Sequence, residues 1–274
     1  MRLAIGIEYD GTAYNGWQRQ QNGCGVQERV EQALSIVADE TVTTICAGRT
    51  DTGVHAAGQV AHFDTSSERA DRRWLLGANS NLPDDINVNW VRCVDDEFHA
   101  RFSATARSYR YLILNRPVRS SLCHRCTWWV HQSLNERRMH DAAQLLAGKH
   151  DFSAFRSAGC QASTPVREVT LISVMRDDDR VVLEITANAF LKHMVRNITG
   201  ALVAIGSGEQ PVEWLAQVLE SKDRKHGGVA APPNGLTLVR VDYPGRYDLP
   251  VSPGTGGRPG QRPVAWSIND GYDC

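Results

Sequence analysis

Asp51 is the residue whose type and surroundings first suggest chemistry in this 274-residue chain. It stands in Ala47-Gly48-Arg49-Thr50-Asp51-Thr52-Gly53-Val54-His55-Ala56, a carboxylate between two small hydroxyl residues with a guanidinium two positions before it. A β-branched run, 42–45, leads into the stretch, and a second strand-like run, 58–63, leads out. A loop between two strands presents a side chain to a ligand while the sheet fixes its position. Asp and Gly also build ordinary polar turns, so the stretch alone carries both readings.

Two further stretches hold residue types that bind nucleotides. In Arg107-Ser108-Tyr109-Arg110-Tyr111, period-two geometry puts Arg107, Tyr109 and Tyr111 on one face of a strand and Arg110 on the other. An aromatic ring beside arginines can stack on a base while the guanidinium groups meet phosphate; the competing reading is a pair of core aromatics. In Phe190-Leu191-Lys192-His193-Met194-Val195-Arg196-Asn197, Arg196 follows Lys192 by one helical turn among apolar residues. A half-buried guanidinium seeks a carboxylate matching its fork, and Asp51 is the candidate; the alternative is that Arg196 snorkels to solvent.

Composition limits the function classes. Hydrophobic content of 42% with 22% charged residues is that of a soluble protein. No apolar run approaches bilayer-spanning length, and the alternating start Arg2-Leu3-Ala4-Ile5-Gly6-Ile7 has no signal-peptide cleavage site, which points to the cytoplasm. An odd, scattered set of seven cysteines fits reduced thiols. Cys123-His124-Arg125-Cys126 looks like half a zinc site, but no further ligands follow at regular spacing, so no metal is expected. A net charge of −1 argues against nonspecific polyanion binding. Yet no acidic residue lies between Glu97 and Glu136, where Arg101, Arg107, Arg110, Arg116, Arg119 and Arg125 all fall. That segment can focus positive potential on one face, or be a solvated strand pair.

The elements that must position these residues follow from hydrophobic periodicity. Strands are predicted at 2–9, around the Asp51 turn and at 86–94, with helices at 26–39 and 69–82. The second half predicts strands at 106–115, 169–176, 180–187 and 236–242. Its helices are predicted from a Ser133 capping box to about residue 148, at 193–205 and at 212–219. The expected class is α+β: two ferredoxin-like β-α-β-β-α-β halves, 1–103 and 104–248, whose antiparallel sheets join around a central cleft, the place to look for a site. Residues 249–274, rich in Pro and Gly, read as a loose tail.

The three stretches, in this order and in these two halves, resemble the bacterial tRNA pseudouridine synthase family called TruA. The resemblance runs from Leu3 to Tyr243 and includes Asp10-Gly11-Thr12 and Ala100-Arg101-Phe102-Ser103-Ala104; Thr52 stands where Ala is common, and 225–234 and the tail match weakly. The resemblance implies an isomerase that converts uridine to pseudouridine at positions 38, 39 and 40 of the tRNA anticodon stem-loop, working without cofactor as a homodimer. It implies Asp51 as nucleophile, Arg196 as its basic partner, Tyr109 stacking on the target uracil and Arg49 holding the nucleotide out of its stack. Arg107, Arg110 and Lys192 are the expected contacts to the RNA backbone. Two other classes compete. Asp51-Thr52-Gly53 also spells the aspartic-protease triplet, but such proteases need a second carboxylate sharing a proton, and no second triplet is present. A noncatalytic RNA-binding module is the other, and it would not require a carboxylate beside the RNA.

Overall fold

The computed structural model describes residues 1–21 and 23–251, so most of the expected tail, 252–274, lies outside the described residues. The chain divides into two units: Met1–Thr105 with the chain from Leu238 onward, and Ala106–Thr237. The 103/104 boundary expected from sequence thus falls two residues later. Residues from 238, expected with the second half, group with the first, because the last strand runs along a first-unit strand there.

In the first unit the elements run β1 (Arg2–Tyr9), α1 (Val26–Ala38), β2 (Ile45–Cys46), β3 (His55–Asp64), α2 (Asp71–Asn81) and β4 (Ile86–Val94). The sheet order is β4-β1-β3-β2, every neighbouring pair antiparallel. Register places Leu3 opposite Phe63 and Cys93, and Ile5 opposite Ala61 and Val91. β1 is central and buried on both faces, so its apolar run is nearly continuous. Helix α1 buries Val26, Val30, Ala33 and Leu34, the i, i+4, i+7, i+8 stripe that its sequence spells. Helix α2 buries Trp74 and Ala78, and Trp74 meets Phe63 edge-on with centroids 5.3 Å apart. Burying a ring of that size stabilises the fold by about 2–3 kcal/mol.

The second unit holds β5 (Ala106–Asn115), β6 (Trp128–Val130), α3 (Glu136–Gln144), β7 (Gly148–Asp151), β8 (Val166–Asp177), β9 (Arg180–Ala187), α4 (Met194–Gly206) and α5 (Trp214–Ser221). Its strand order is β6-β5-β9-β8-β7, with β6 parallel to β5 and the rest antiparallel. Helix α4 is apolar on nearly all sides and almost wholly buried. Helix α3 crosses it closely: a Cβ at Gly206 would stand 2.6 Å from Met139 Sδ. The cap of α3 is Asn135, whose side chain accepts the Arg138 N–H at 3.0 Å; the Ser133 box expected from sequence is displaced by two residues. Strand β10 (Leu236–Asp242) carries the chain from the second unit into the first, where Val239 passes so close to β3 that a Cβ at Gly58 would meet its carbonyl at 2.4 Å.

Candidate functional site

Asp51 lies in the loop from β2 to β3, half-buried between exposed Arg49 and Thr52. The loop closes on itself through the Val54 N–H, which donates to the Asp51 carbonyl at 3.1 Å, and Gly53 turns it at φ +74°. Around this turn the backbone is held from three directions. Tyr9 Oη, at the end of β1, shares a 2.7 Å hydrogen bond with Thr50 Oγ1, both buried. The side chain of Gln59, fully buried on β3, donates to the Gly48 carbonyl at 2.7 Å. From the segment after β1, Trp17 N–H donates to the Thr50 carbonyl at 3.1 Å and Gly53 N–H donates to the Tyr14 carbonyl at 3.3 Å.

That last segment approaches the loop more closely than any side chain would permit. A Cβ at Gly16 would lie 2.5 Å from the Thr50 carbonyl oxygen, and the residue sits at φ +86°, where L residues are strained. A Cβ at Gly11 would lie 2.1 Å from the Val54 carbonyl oxygen. Gly11 N–H donates to His55 Nδ1 at 3.1 Å. The Asp10 carboxylate lies 3.1 Å from the same nitrogen and accepts from Thr12 N–H and Oγ1, at 2.9 and 2.5 Å. Tyr9, Gly16, Trp17 and Gln59 are positioning residues that sequence reasoning passed over, and Gly11 was read only as part of the Asp10-Gly11-Thr12 stretch. Only Gly11, within Asp10-Gly11-Thr12, and Gly16 offered a signal, as chain that must come close to something.

Burial pushes the Cys46 thiol up to about 12, against the opposing charges of Arg49 and Arg101, so it offers no thiolate beside the loop.

In the second unit, Tyr109 lies on β5, 9% exposed, with Phe190 edge-on at 5.0 Å. Arg107, also buried, donates to the Asn188 carbonyl at 2.8 Å, joining the same strand to the segment that carries Phe190. Arg110 points to the opposite face and pairs with Glu184 of β9 at 2.5 Å. Its guanidinium meets that carboxylate through both Nε and Nη2. Arg196 lies in the first turn of α4, half-buried, and its Nε donates to the Ala231 carbonyl at 2.8 Å. Ala231 N–H returns to the Arg196 carbonyl at 3.0 Å. Lys192, exposed, donates to the Ala158 carbonyl at 3.4 Å.

The segment 229–232, part of a stretch that seemed least like the family, is what holds this helix end. A Cβ at Gly200 would meet the Val229 carbonyl oxygen at 1.8 Å, and Tyr111 Oη donates to the Pro232 carbonyl at 2.7 Å. The Tyr111 phenol is pushed up by burial and is a structural donor, not an acid. Arg196 is thus aimed by a strap rather than by solvent.

A carboxylate on a rigid, half-open turn can serve as nucleophile or general base; a boxed tyrosine and a backbone-anchored arginine can bind a flat ring and an anion. The comparisons with known proteins identify the family. The tRNA pseudouridine synthase family matches residues 5–103 and 142–244, running through the 229–232 strap but not through Tyr109. The tRNA pseudouridine synthase A of Coxiella burnetii (strain Dugway 5J108-111) is 54% identical over 252 residues, 92% of this chain and 97% of the relative. Those of Pseudoalteromonas atlantica and Aeromonas hydrophila are each 54% identical, over 91% and 92% of this chain and 95% and 94% of their own. With two-thirds of its length or more shared at such identity, the chain belongs to the tRNA pseudouridine synthase family.

Proposed function

We propose that the protein isomerises uridine to pseudouridine in tRNA, with Asp51 as the nucleophile. The observation that carries the reading is family membership at 54% identity over 92% of the chain, with the lone carboxylate of the matched motif held on a braced turn. The reaction conserves every atom of the nucleotide: the N1–C1′ bond breaks, uracil turns in its pocket, C5 bonds to C1′, and the C5 proton leaves as N1 gains one. No redox partner or group donor is needed, which supports a reaction without cofactor.

Asp51 adds to C1′ to give a glycosyl ester, as retaining glycosidases do, or adds to C6, or removes the C2′ proton to give a glycal; all three end in the same product. In this reading Arg196 favours the ionised carboxylate, Tyr109 stacks on the uracil, and Arg49 holds the nucleotide out of its stack. Arg107 orders the strand that presents Tyr109, and Lys192 meets the backbone. The substrate region is the anticodon stem-loop, positions 38–40, bound by a homodimer in the cytoplasm. Among the described residues no helix is long and apolar enough to cross a membrane. The β-α-β-β-α-β order of the first unit supports reading it as one ferredoxin-like half.

Tritium release from tRNA labelled at C5 of uridine reads the reaction directly, because isomerisation must exchange that hydrogen. The parent protein is expected to release tritium without added cofactor, and release should vanish when the target uridine becomes cytidine. Asp51→Asn should bind tRNA within about twofold of the parent and lose turnover by at least about 10³-fold. Turnover retained in that variant would remove Asp51 from the chemistry.

A further inference from the structure

The first unit carries a column of aromatic rings that the proposed reaction does not use. Residues 99–103 form a loop closed on itself: His99 N–H donates to Ser103 Oγ at 3.0 Å, and Ser103 N–H donates to the His99 carbonyl at 2.8 Å. His99 Nδ1 accepts the N–H groups of Arg101 and Phe102, at 3.2 and 3.1 Å, which fixes the ring. Phe102 stacks on it with centroids 4.3 Å apart and planes 29° from parallel. Beneath, His99 packs on His62 at 4.9 Å, and His62 Nδ1 accepts the Ala100 N–H at 3.1 Å. The column rises from His62, 2% exposed, to Phe102, 76% exposed.

Singly exposed apolar side chains are ordinary and need no explanation. This one is different in being ordered by its own loop while keeping its ring in water, where it gains little from burial. A ring held this way loses little further freedom when a second flat group stacks on it. The Arg101 guanidinium lies 5.6 Å from the ring centroid and adds positive charge beside it. A nucleotide supplies the complement to both, a base for the ring and a phosphate for the cation. The column also stands near the chemistry: His62 is the register partner of Ile45 on β2, two residues before the loop that bears Asp51 begins.

We propose that Phe102 is a stacking platform for an unpaired base of the RNA substrate, separate from the nucleotide on which Asp51 acts. The inference rests on the proposed function for the identity of the RNA. Its test is the affinity of fluorescently labelled, unmodified tRNA by anisotropy, with kcat and KM from C5 tritium release. Phe102→Leu keeps apolar bulk but loses the π face, and should weaken binding about five- to a hundredfold. Its kcat at saturating tRNA should stay within about twofold of the parent, while Phe102→Tyr restores affinity. Phe102→Leu binding as tightly as the parent, or Phe102→Tyr binding as weakly as Phe102→Leu, would overturn the proposal. So would a smaller particle for Phe102→Leu by light scattering, since that would mean a second copy of the chain covers the ring. If the parent itself releases no tritium, the proposed function fails on its own, and the anisotropy comparison still decides for or against Phe102.

Discussion

His62 shows how a single residue carries both stability and site geometry. Its ring is buried on β3 beneath His99, and burial, with the nearby His99 and Arg2 charges, lowers its pKa to about 4 against the opposing pull of Asp64. His99 is lowered for the same first reason. In the unfolded chain a histidine titrates near 6.5, so between about pH 6.5 and 4 the unfolded state binds the proton that the folded state refuses. Stability is therefore full above about pH 6.5 and falls as pH drops toward 4. Urea unfolding of the parent should give about 2 kcal/mol less stability at pH 4.5 than at pH 7 from His62 alone. His62→Asn, whose Oδ1 can still accept the Ala100 N–H, should lose that share of the pH dependence; an unchanged slope would show that other groups set it. At this scale the sequence was legible where a residue type is rare in its setting, as with Asp51 in its motif. It was not legible where the partner is remote: period two put Arg110 opposite Tyr109, but nothing local showed Glu184 waiting across β9.

Elements were legible where they are long enough to repeat their period. The helices carrying Val30 and Leu34, or Ile198 and Leu202, repeat it, whereas β2 has only two residues. The three-residue β6 and four-residue β7 give no period, and the Ser133 box lost to Asn135 because the helix begins two residues later than a box would place it. What the pattern missed at this scale is the contact between the segment after β1 and the Asp51 loop, since glycines announce close approach without naming the neighbour. That contact has a measurable consequence. Gly16→Ala puts a methyl group 2.5 Å from the Thr50 carbonyl at a positive φ, so either the segment or the loop must move. A shift of about 1 Å in a reacting group lowers turnover by about 10²-fold. Tritium release should fall by that order in Gly16→Ala while its circular dichroism matches the parent. Gly245→Ala, where an added Cβ meets nothing within 4 Å, should leave release unchanged. Equal effects at both positions would mean that Gly16 does not act through the loop.

Over the whole molecule, charge had to be read by partner rather than by count. The chain is nearly neutral, and its acid-free Arg-rich segment reads from sequence as one basic surface. Folding sorts that segment. Arg110 pairs with Glu184 and Arg116 with Asp179, acids from far along the chain, and Arg107 is buried against the Asn188 carbonyl. Arg101, Arg119 and Arg125 keep exposed positions. Contacts to phosphate release counterions, so each one steepens the fall of affinity with salt by close to one unit of log–log slope. Replacing Arg101, Arg119 and Arg125 together with Gln should weaken tRNA binding and flatten that slope by up to about three. Arg110→Gln should leave affinity and slope unchanged, because its charge is already answered. It should instead lower stability by about 2 kcal/mol, since Glu184, 20% exposed, is left without its counter-ion. Anisotropy titrations of tRNA across a salt series, beside urea unfolding of the same variants, separate the two groups. A flattened slope in Arg110→Gln would mean that the pair opens for RNA, and that charge count describes the binding surface after all.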